Sequence, residues 1–197
     1  MQGILAFLGR KPLKAWEKDS LKAWWKGHSA HIHDHHGNED ELFMPMMKTR
    51  IVLPAKLEED HTWLVAHMDK IEACINSIRS ADELAELWAE YDVKMKAHLV
   101  EEEAVCIPLL RAYFTPEEVA AKVQEILGNA PAVAMGSFFF WMGGKGPVME
   151  FMKQEGIPFF VWYIQFKGQL KVYQNEMQKH VTCLMTGWAP KPSSCCC

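Results

Sequence analysis

Several features are scarce in this sequence, and each absence argues against a class of protein. No apolar run reaches the roughly 18–20 residues that a membrane-spanning helix needs. Lysine and arginine total 21 against 25 aspartate and glutamate residues. The resulting net charge of −4 offers no basic surface for nucleic acid. The N-terminus lacks a basic leader followed by a small-residue cleavage site, so we expect a cytoplasmic protein.

The cysteines are few, and their spacing shows no pairing pattern. None of the six forms a CxxC pair or a disulfide framework, which favours a reducing compartment. Three of them are adjacent at the end of the sequence: Cys195, Cys196 and Cys197. Terminal cysteines are typical of lipidation signals, although the strict C-a-a-X pattern is not matched. Two interpretations stay open, a lipidated tail that anchors the chain peripherally to a membrane and an unmodified tail.

The hydrophobic pattern predicts an all-α fold, because no stretch alternates apolar and polar residues for long. We expect a weak helix over residues 3–18 and longer ones over residues 20–47, 55–79 and 80 or 82 to 114, with Ser20 as the cap of the second helix and Ser80 or Asp82 as the cap of the fourth. The first helices predict an antiparallel bundle over residues 1–114. A helical extension packed on it would cover residues 115–189, with a loop-rich stretch at residues 129–156 and a final helix at residues 158–185. Residues 190–197 would form a loose tail.

One helix start is marked clearly by its sequence. Thr115 is followed by Pro116, Glu117 and Glu118. Threonine at the cap, proline at the first helical position and glutamate three residues after the cap form a capping box. We therefore predict a helix that begins here and ends at Gly128.

Polar residues interrupt the apolar stripes of three predicted helices. A buried, unpaired carboxylate or imidazole loses several kcal/mol of solvation, about 3–5 kcal/mol when a partner is missing. Three helices with such groups in their core stripes therefore suggest a shared metal ion. Imidazole with carboxylate suits iron, manganese or zinc better than calcium or copper(I). The interruptions are His28, His35, Glu39, His61, His98 and Glu102.

Two of these interruptions share one spacing. His35, Glu39, Asp40 and Pro45 repeat as His98, Glu102, Glu103 and Pro108, in the pattern H-x3-E-[DE]-x4-P. Histidine and glutamate four residues apart lie one turn apart on one side of a helix, so both can reach one site. Two buried His–Glu pairs without a metal are the structural alternative.

At these motifs the sequence resembles the hemerythrin-like (HHE cation-binding) family. The matching stretches are HDHHGNEDELFMP, EEDHTWLVAHMDKIE and HLVEEEAVCIPLL, and the resemblance covers roughly residues 20–114. It implies an up-and-down four-helix bundle that holds a non-haem di-iron centre, with manganese or zinc as alternatives. By resemblance the metal ligands would be His35, Glu39, His61, His98 and Glu102, with the two carboxylates as candidate bridges.

The sequence departs from the family pattern in two places. The family supplies a further histidine from its first helix, whereas residues 1–27 contain none. Two interpretations stay open: Glu17 substitutes for that histidine, or the chain lacks this helix. Oxygen-carrying members place two histidines four apart on the third helix, but here His67 follows His61 by six residues and is expected to point elsewhere. A mononuclear site with open positions is therefore an alternative.

The remaining histidines have weaker assignments. His36 and Asp40 repeat the four-residue spacing about 100° round the helix, and we expect them in an outer position or towards solvent. His31 is a further candidate, although a solvated histidine-rich helix end explains it equally. Cys106, four residues after Glu102, is either an oxidation sensor or a small buried hydrophobe.

The sequence thus predicts a metalloprotein that binds or senses a small ligand such as dioxygen or nitric oxide, or holds iron. A redox enzyme that consumes peroxide or oxygen is an alternative, and whether the chain is an enzyme stays open. A metal-free docking protein that uses the apolar C-terminal extension is a third hypothesis. The sequence makes no prediction of oligomeric state.

Overall fold

The computed structural model describes residues 12–189, which contain no β-strand. The helices of this part are α1 (Ala15–Asn38), α2 (Met44–Lys48), α3 (Ala55–Ser77), α4 (Asp82–Tyr113), α5 (Pro116–Asn129), α6 (Ala132–Trp141), α7 (Lys145–Gln154), α8 (Lys167–Tyr173) and α9 (Lys179–Thr186). Short π-helical segments occupy Glu39–Phe43, Trp162–Phe166 and Gln174–Gln178. The prediction of an all-α chain is confirmed.

The chain divides into two compact units. The first comprises Met1–Leu13 and His28–Asn129, and the second comprises Lys14–Gly27 and Ala130–Cys197. Helix α1 contributes residues to both units. The predicted division at residues 114 and 189 and the up-and-down order of four helices stay predictions.

The core of the first unit is built by α3 and α4, which pack against each other. Every apolar residue of the predicted α3 stripe is buried, as are the first four residues of the α4 stripe. Each fully buried side chain of this kind stabilises the unit by about 1.5–3 kcal/mol. The buried members of these two stripes are Leu57, Leu64, Met68, Ile71, Ile75, Ile78, Leu84, Trp88, Tyr91 and Met95.

The core of the second unit is aromatic and lies where α6 packs against α8 and its preceding π-helical segment. Phe139 and Phe166 are buried with their ring centroids 4.5 Å apart. Gly136 lies at the closest approach of α6 to α8, because a Cβ there would be 2.1 Å from the Gln169 carbonyl oxygen. Glycine is required at this position by the spacing of the two helices.

The structure corrects several predicted boundaries. Helix α1 begins at Ala15, so Ser20 is a buried residue within it and not a cap. Residues 129–156 are not loop-rich, because α6 and α7 occupy most of them. The turn between these helices uses Gly143 (φ 100°) and Gly144 (φ 81°). The loop prediction was wrong because these glycines mark only a short turn between two helices. The cap of α4 is Ala81, not Ser80 or Asp82.

The capping box at the start of α5 is confirmed. The Glu118 amide donates to the Thr115 hydroxyl oxygen at 3.3 Å, and the Thr115 amide donates to Glu118 Oε2 at 2.9 Å. Arg50 also donates to both carboxylate oxygens of Glu118. This charge pair and the bond to Thr115 lower the pKa of Glu118 to about 2.

Within residues 12–189, no helix combines the length and the apolar character needed to cross a membrane. Most of the predicted helix at residues 3–18 and the tail with Cys195, Cys196 and Cys197 lie outside the described residues. The proposed lipidation of that tail stays a prediction.

Candidate metal centre

Side chains from α1, α3, α4 and one π-helical segment bring six residues of metal-binding types together in the first unit. His35 and His36 lie near the end of α1, and Glu39 opens the π-helical segment Glu39–Phe43. The other three come from the following long helices, His61 from α3 and His98 and Glu102 from α4.

Three histidines form the buried part of the cluster. His36, His61 and His98 each expose 3% or less of their surface, and one donor atom of each lies within 4.8 Å of those of the others. The rings of His36 and His61 are stacked with centroids 4.2 Å apart. The ring of His98 stands nearly perpendicular to both. Three convergent imidazoles of this kind are a common donor set for transition metals.

A second trio with carboxylates adjoins the first. His35, Glu39 and Glu102 also have donor atoms within 4.8 Å of one another, and they are half-buried. His35 Nε2 lies 3.2 Å from Glu39 Oε1. The carboxylates connect the trios, because Glu39 Oε2 lies 3.5 Å from His61 Nε2 and Glu102 Oε2 lies 3.8 Å from His98 Nε2.

Several donor atoms of the cluster are buried without a hydrogen-bond partner among the described residues. They are both ring nitrogens of His36 and of His98, Nε2 of His61 and Oε2 of Glu39. An unsatisfied buried polar atom costs about 1–3 kcal/mol, so six in one place would be strongly destabilising. The donor set therefore fits a bound cation, which could engage one nitrogen of each of the three rings and the Glu39 oxygen.

Burial and mutual repulsion shift the acid–base behaviour of these groups. Burial, then the neighbouring histidines, lowers the pKa of His36 to about 3. Burial, followed by the charge of His61, lowers the pKa of His98 to about 4. Both rings are thus neutral at pH 7, the form in which imidazole binds metals.

The two carboxyl groups shift in the opposite direction. Burial, then the proximity of Glu102, raises the pKa of Glu39 to about 9, and burial also raises the pKa of Glu102. Without a cation, this pair retains a proton at neutral pH, because two close carboxylates repel each other. A cation would replace that proton.

Two aspartates contact the histidines from outside the cluster. Asp40 Oδ1 lies 2.8 Å from Nδ1 of His61, so the ring donates to the carboxylate and directs Nε2 inward. Asp60 Oδ2 lies 3.8 Å from Nδ1 of His98. Asp60 is itself held by Lys56 and Lys94, which donate to its oxygens.

An apolar cavity of about 240 Å³ opens beside the second trio. A water molecule occupies roughly 30 Å³ of liquid, so the space admits a small ligand beside His35, Glu39 and Glu102. Burial and the two glutamates raise the pKa of Cys106, which lines the cavity, to about 11, so its thiol stays protonated. The other lining residues include Phe43, Met44, Met47, Leu99, Ile107 and Leu110.

The structure thus brings together all five residues assigned as ligands from the family resemblance, and it adds His36. His36 is buried inside the cluster and does not face solvent, because the buried stripe of α1 runs through Leu21, Trp25, Ser29 and His36. The predicted core stripe of this helix contained His35, one residue away from His36. Steps of three and four residues connect Leu21, Trp25, Ser29, half-buried Ile32 and His36. This spacing is the sequence signal that could have placed His36 in the core.

Other candidates lie outside the cluster. Glu17 belongs to the second unit and accepts a hydrogen bond from the Lys14 amide at 2.8 Å. His31 is exposed. As expected, His67 points elsewhere, since its Nε2–H donates to the Leu87 carbonyl at 2.9 Å and its ring stacks on Trp63.

Comparison with known proteins agrees with this geometry. Neither a curated protein nor a solved structure matches the chain. A family model, the hemerythrin HHE cation-binding domain, matches residues 5–110. This match covers more than half of the chain and all six cluster residues. The chain is therefore a member of the hemerythrin HHE cation-binding domain family.

Proposed function

We propose that the first unit binds two non-haem iron ions and presents them to a small ligand such as dioxygen or nitric oxide. One ion would be held by His36, His61 and His98. The other would be held by His35, Glu39 and Glu102. The observation that carries this proposal is the group of buried donor atoms without a hydrogen-bond partner within residues 12–189.

The carboxylates suit a shared role between the ions. Glu39 lies close to both His35 and His61, and Glu102 lies close to His98 and to Glu39. A carboxylate has two oxygens and can contact two cations at once. Glu39 and Glu102 would therefore be the residues able to contact both ions.

The surroundings favour a diatomic ligand. Bound iron would supply reversible binding of dioxygen or nitric oxide, or storage of the metal itself. The chain contributes a cavity whose walls are mostly methionine, leucine, isoleucine and phenylalanine side chains. Such walls admit small apolar molecules and disfavour charged ones, because a charge would lose its hydration there.

The first experiment measures metal per chain by elemental analysis, on untagged protein purified without added metal, alongside the absorption spectrum. We expect close to two irons and complete loss of metal in His98→Ala. The matched control is His33→Ala, since His33 is an exposed histidine of α1. Full metal retention in His98→Ala would refute the site. Two manganese or zinc ions would refute iron as the metal but not the site. Folded protein that cannot be loaded would support a metal-free docking role.

A second experiment tests the ligand. Nitric oxide is added to the reduced, iron-loaded protein, and the change in absorbance is followed with time. The Cys106→Phe variant places a ring in the cavity and should slow the reaction, whereas Val100→Phe alters an exposed position and should not. Absence of any spectral response to nitric oxide or dioxygen would leave iron storage as the supported role.

A further inference from the structure

An exposed apolar patch lies on the second unit, away from any role in its core. The side chains of its five residues, which together we call the apolar patch, are between 51% and 77% exposed. Two residues of the same stretch, Trp162 and Phe166, are buried in the core. The patch comprises Trp141, Phe159, Phe160, Tyr163 and Ile164.

The patch is assembled from two segments of the chain. Lys145 Nζ donates to the Tyr163 hydroxyl at 3.1 Å and lies 5.1 Å from the centroid of that ring. This contact joins the first residue of α7, four positions after Trp141, to the segment that carries the other patch residues. Phe159 and Phe160 have ring centroids 6.2 Å apart. The exposed rings therefore lie on a surface that a folded unit presents.

Lysines accompany the patch. Lys167 and Lys171 are exposed. Lys167 follows Ile164 by three residues and Lys171 follows Lys167 by four, which places the two lysines along one side of a helix. Phe160 lies four residues before Ile164. Exposed apolar side chains are thus followed directly by positive charges.

The charge of the whole unit has the same sign. The second unit carries ten lysines against five acidic residues, whereas the first carries eleven basic against twenty acidic residues. The net charge of −4 for the chain conceals this segregation. A basic unit with exposed aromatic rings is complementary to a surface whose outer layer is negatively charged and whose inner layer is apolar.

We propose that the apolar patch docks the second unit onto a membrane surface rich in anionic phospholipids. Phenylalanine, tryptophan and isoleucine insert at the boundary of headgroups and acyl chains, where aromatic rings are favoured. Lys145, Lys167 and Lys171 remain at the level of the headgroups and contact their phosphates. A lysine near such a surface contributes about 1 kcal/mol, so the charges and the apolar residues must act together.

The test is flotation of the full chain with vesicles of phosphatidylcholine alone or mixed with phosphatidylserine. We expect binding to the mixed vesicles and little binding to the neutral ones. The variants Phe160→Ser/Ile164→Ser and Lys167→Glu/Lys171→Glu should each weaken binding by about tenfold or more. High salt should weaken binding of the wild type, since the lysine contribution is screened.

The controls are matched changes on the first unit. Val93→Ser/Val100→Ser removes two equally exposed apolar residues, and Lys70→Glu/Lys96→Glu reverses two lysines. Both should bind like the wild type. Equal binding to neutral and mixed vesicles, or unchanged binding of the patch variants, would refute the proposal. So would dimers in solution that Phe160→Ser/Ile164→Ser abolishes without any vesicle binding, because a second copy would then cover the patch.

Discussion

A single carboxylate sets the tautomer of one ring in the candidate metal centre. The carboxylate of Asp40 accepts the Nδ1–H of His61, and this bond leaves the lone pair on Nε2, which lies 3.5 Å from Glu39 Oε2. Carboxylates in this position fix the tautomer and raise the basicity of the ligand.

We predict that Asp40→Ala lowers metal affinity about ten- to a hundredfold, because the His61 ring loses its fixed tautomer. Asp40→Asn should restore part of the affinity, since its amide oxygen still accepts the bond. Competition with a chelator of known affinity measures both. Glu41→Gln changes the neighbouring exposed residue and serves as the control. Equal affinity in Asp40→Ala and Glu41→Gln would show that Asp40 does not position the ring.

His28 provides a pH-dependent contribution to stability outside the metal centre. Its Nε2 lies 2.9 Å from the hydroxyl of Tyr91, and burial lowers its pKa to about 4 from 6.5. The unfolded chain therefore binds a proton at a higher pH than the folded chain does. The free energy of unfolding falls as pH decreases through this window and levels off below it.

We predict that His28→Gln reduces the loss of stability between pH 6.5 and pH 4, the unfolded and folded pKa values of the ring. Glutamine can still bond to Tyr91 but carries no charge, so the difference should approach about 3 kcal/mol at the acidic end. Urea unfolding of both proteins, in the same metal state at several pH values, measures it. Identical pH profiles would contradict the assignment.

At the scale of elements, two copies of one motif adopt different backbones. The first copy passes from α1 into a π-helical segment, in which the Met44 amide donates to the Glu39 carbonyl. The second copy stays α-helical through Pro108. Proline provides no amide hydrogen in either copy. A π-helical segment inside a helix is frequent at functional sites, and here it begins at a candidate ligand.

The second unit depends on the close approach of α6 to α8. In Gly136→Ala the new Cβ would lie 2.1 Å from the Gln169 carbonyl oxygen and 2.7 Å from Tyr173 Cβ. We predict a loss of about 1–3 kcal/mol in the free energy of unfolding, because the two helices must separate. Urea unfolding, followed through aromatic circular dichroism, measures this loss.

Gly168→Ala is the control for that change. No atom lies within 4 Å of a Cβ built at Gly168 in α8. Alanine is better than glycine in a helix by up to about 1 kcal/mol, so this variant should be neutral or more stable. Similar destabilisation by both variants would indicate that backbone freedom, and not the helix contact, explains the effect.

At the scale of the molecule, the candidate metal centre and the apolar patch belong to different units. Metal removal should therefore act on the first unit. A cation that binds only the folded state stabilises it by about 2.7 kcal/mol at a hundred times its dissociation constant. We predict faster amide hydrogen exchange in α3 and α4 of metal-free protein, and unchanged exchange in α6 to α8.

Exchange followed by mass spectrometry, with and without metal, tests this prediction. His98→Ala protein is the control, because added metal should leave its exchange unchanged. Uniform protection of both units by the metal would contradict the assignment of stability to the first unit alone.

The sequence by itself determined the helical class, the capping box at Thr115 and the helices that contribute to the histidine–glutamate cluster. These features depend on local periodicity and on residue types that are costly to bury without a partner. Two copies of a histidine and a glutamate four residues apart were enough to indicate a shared site, because one helix turn sets that spacing.

Only the tertiary structure decided which histidine of the adjacent pair on α1 lies deepest. His35 and His36 differ by one residue, or about 100° of rotation, and the neighbouring helices α3 and α4 fix that rotation. The fold likewise placed Asp40 on His61 and exposed the rings of the apolar patch. These are contacts between residues distant in sequence, and local patterns carry no information about them.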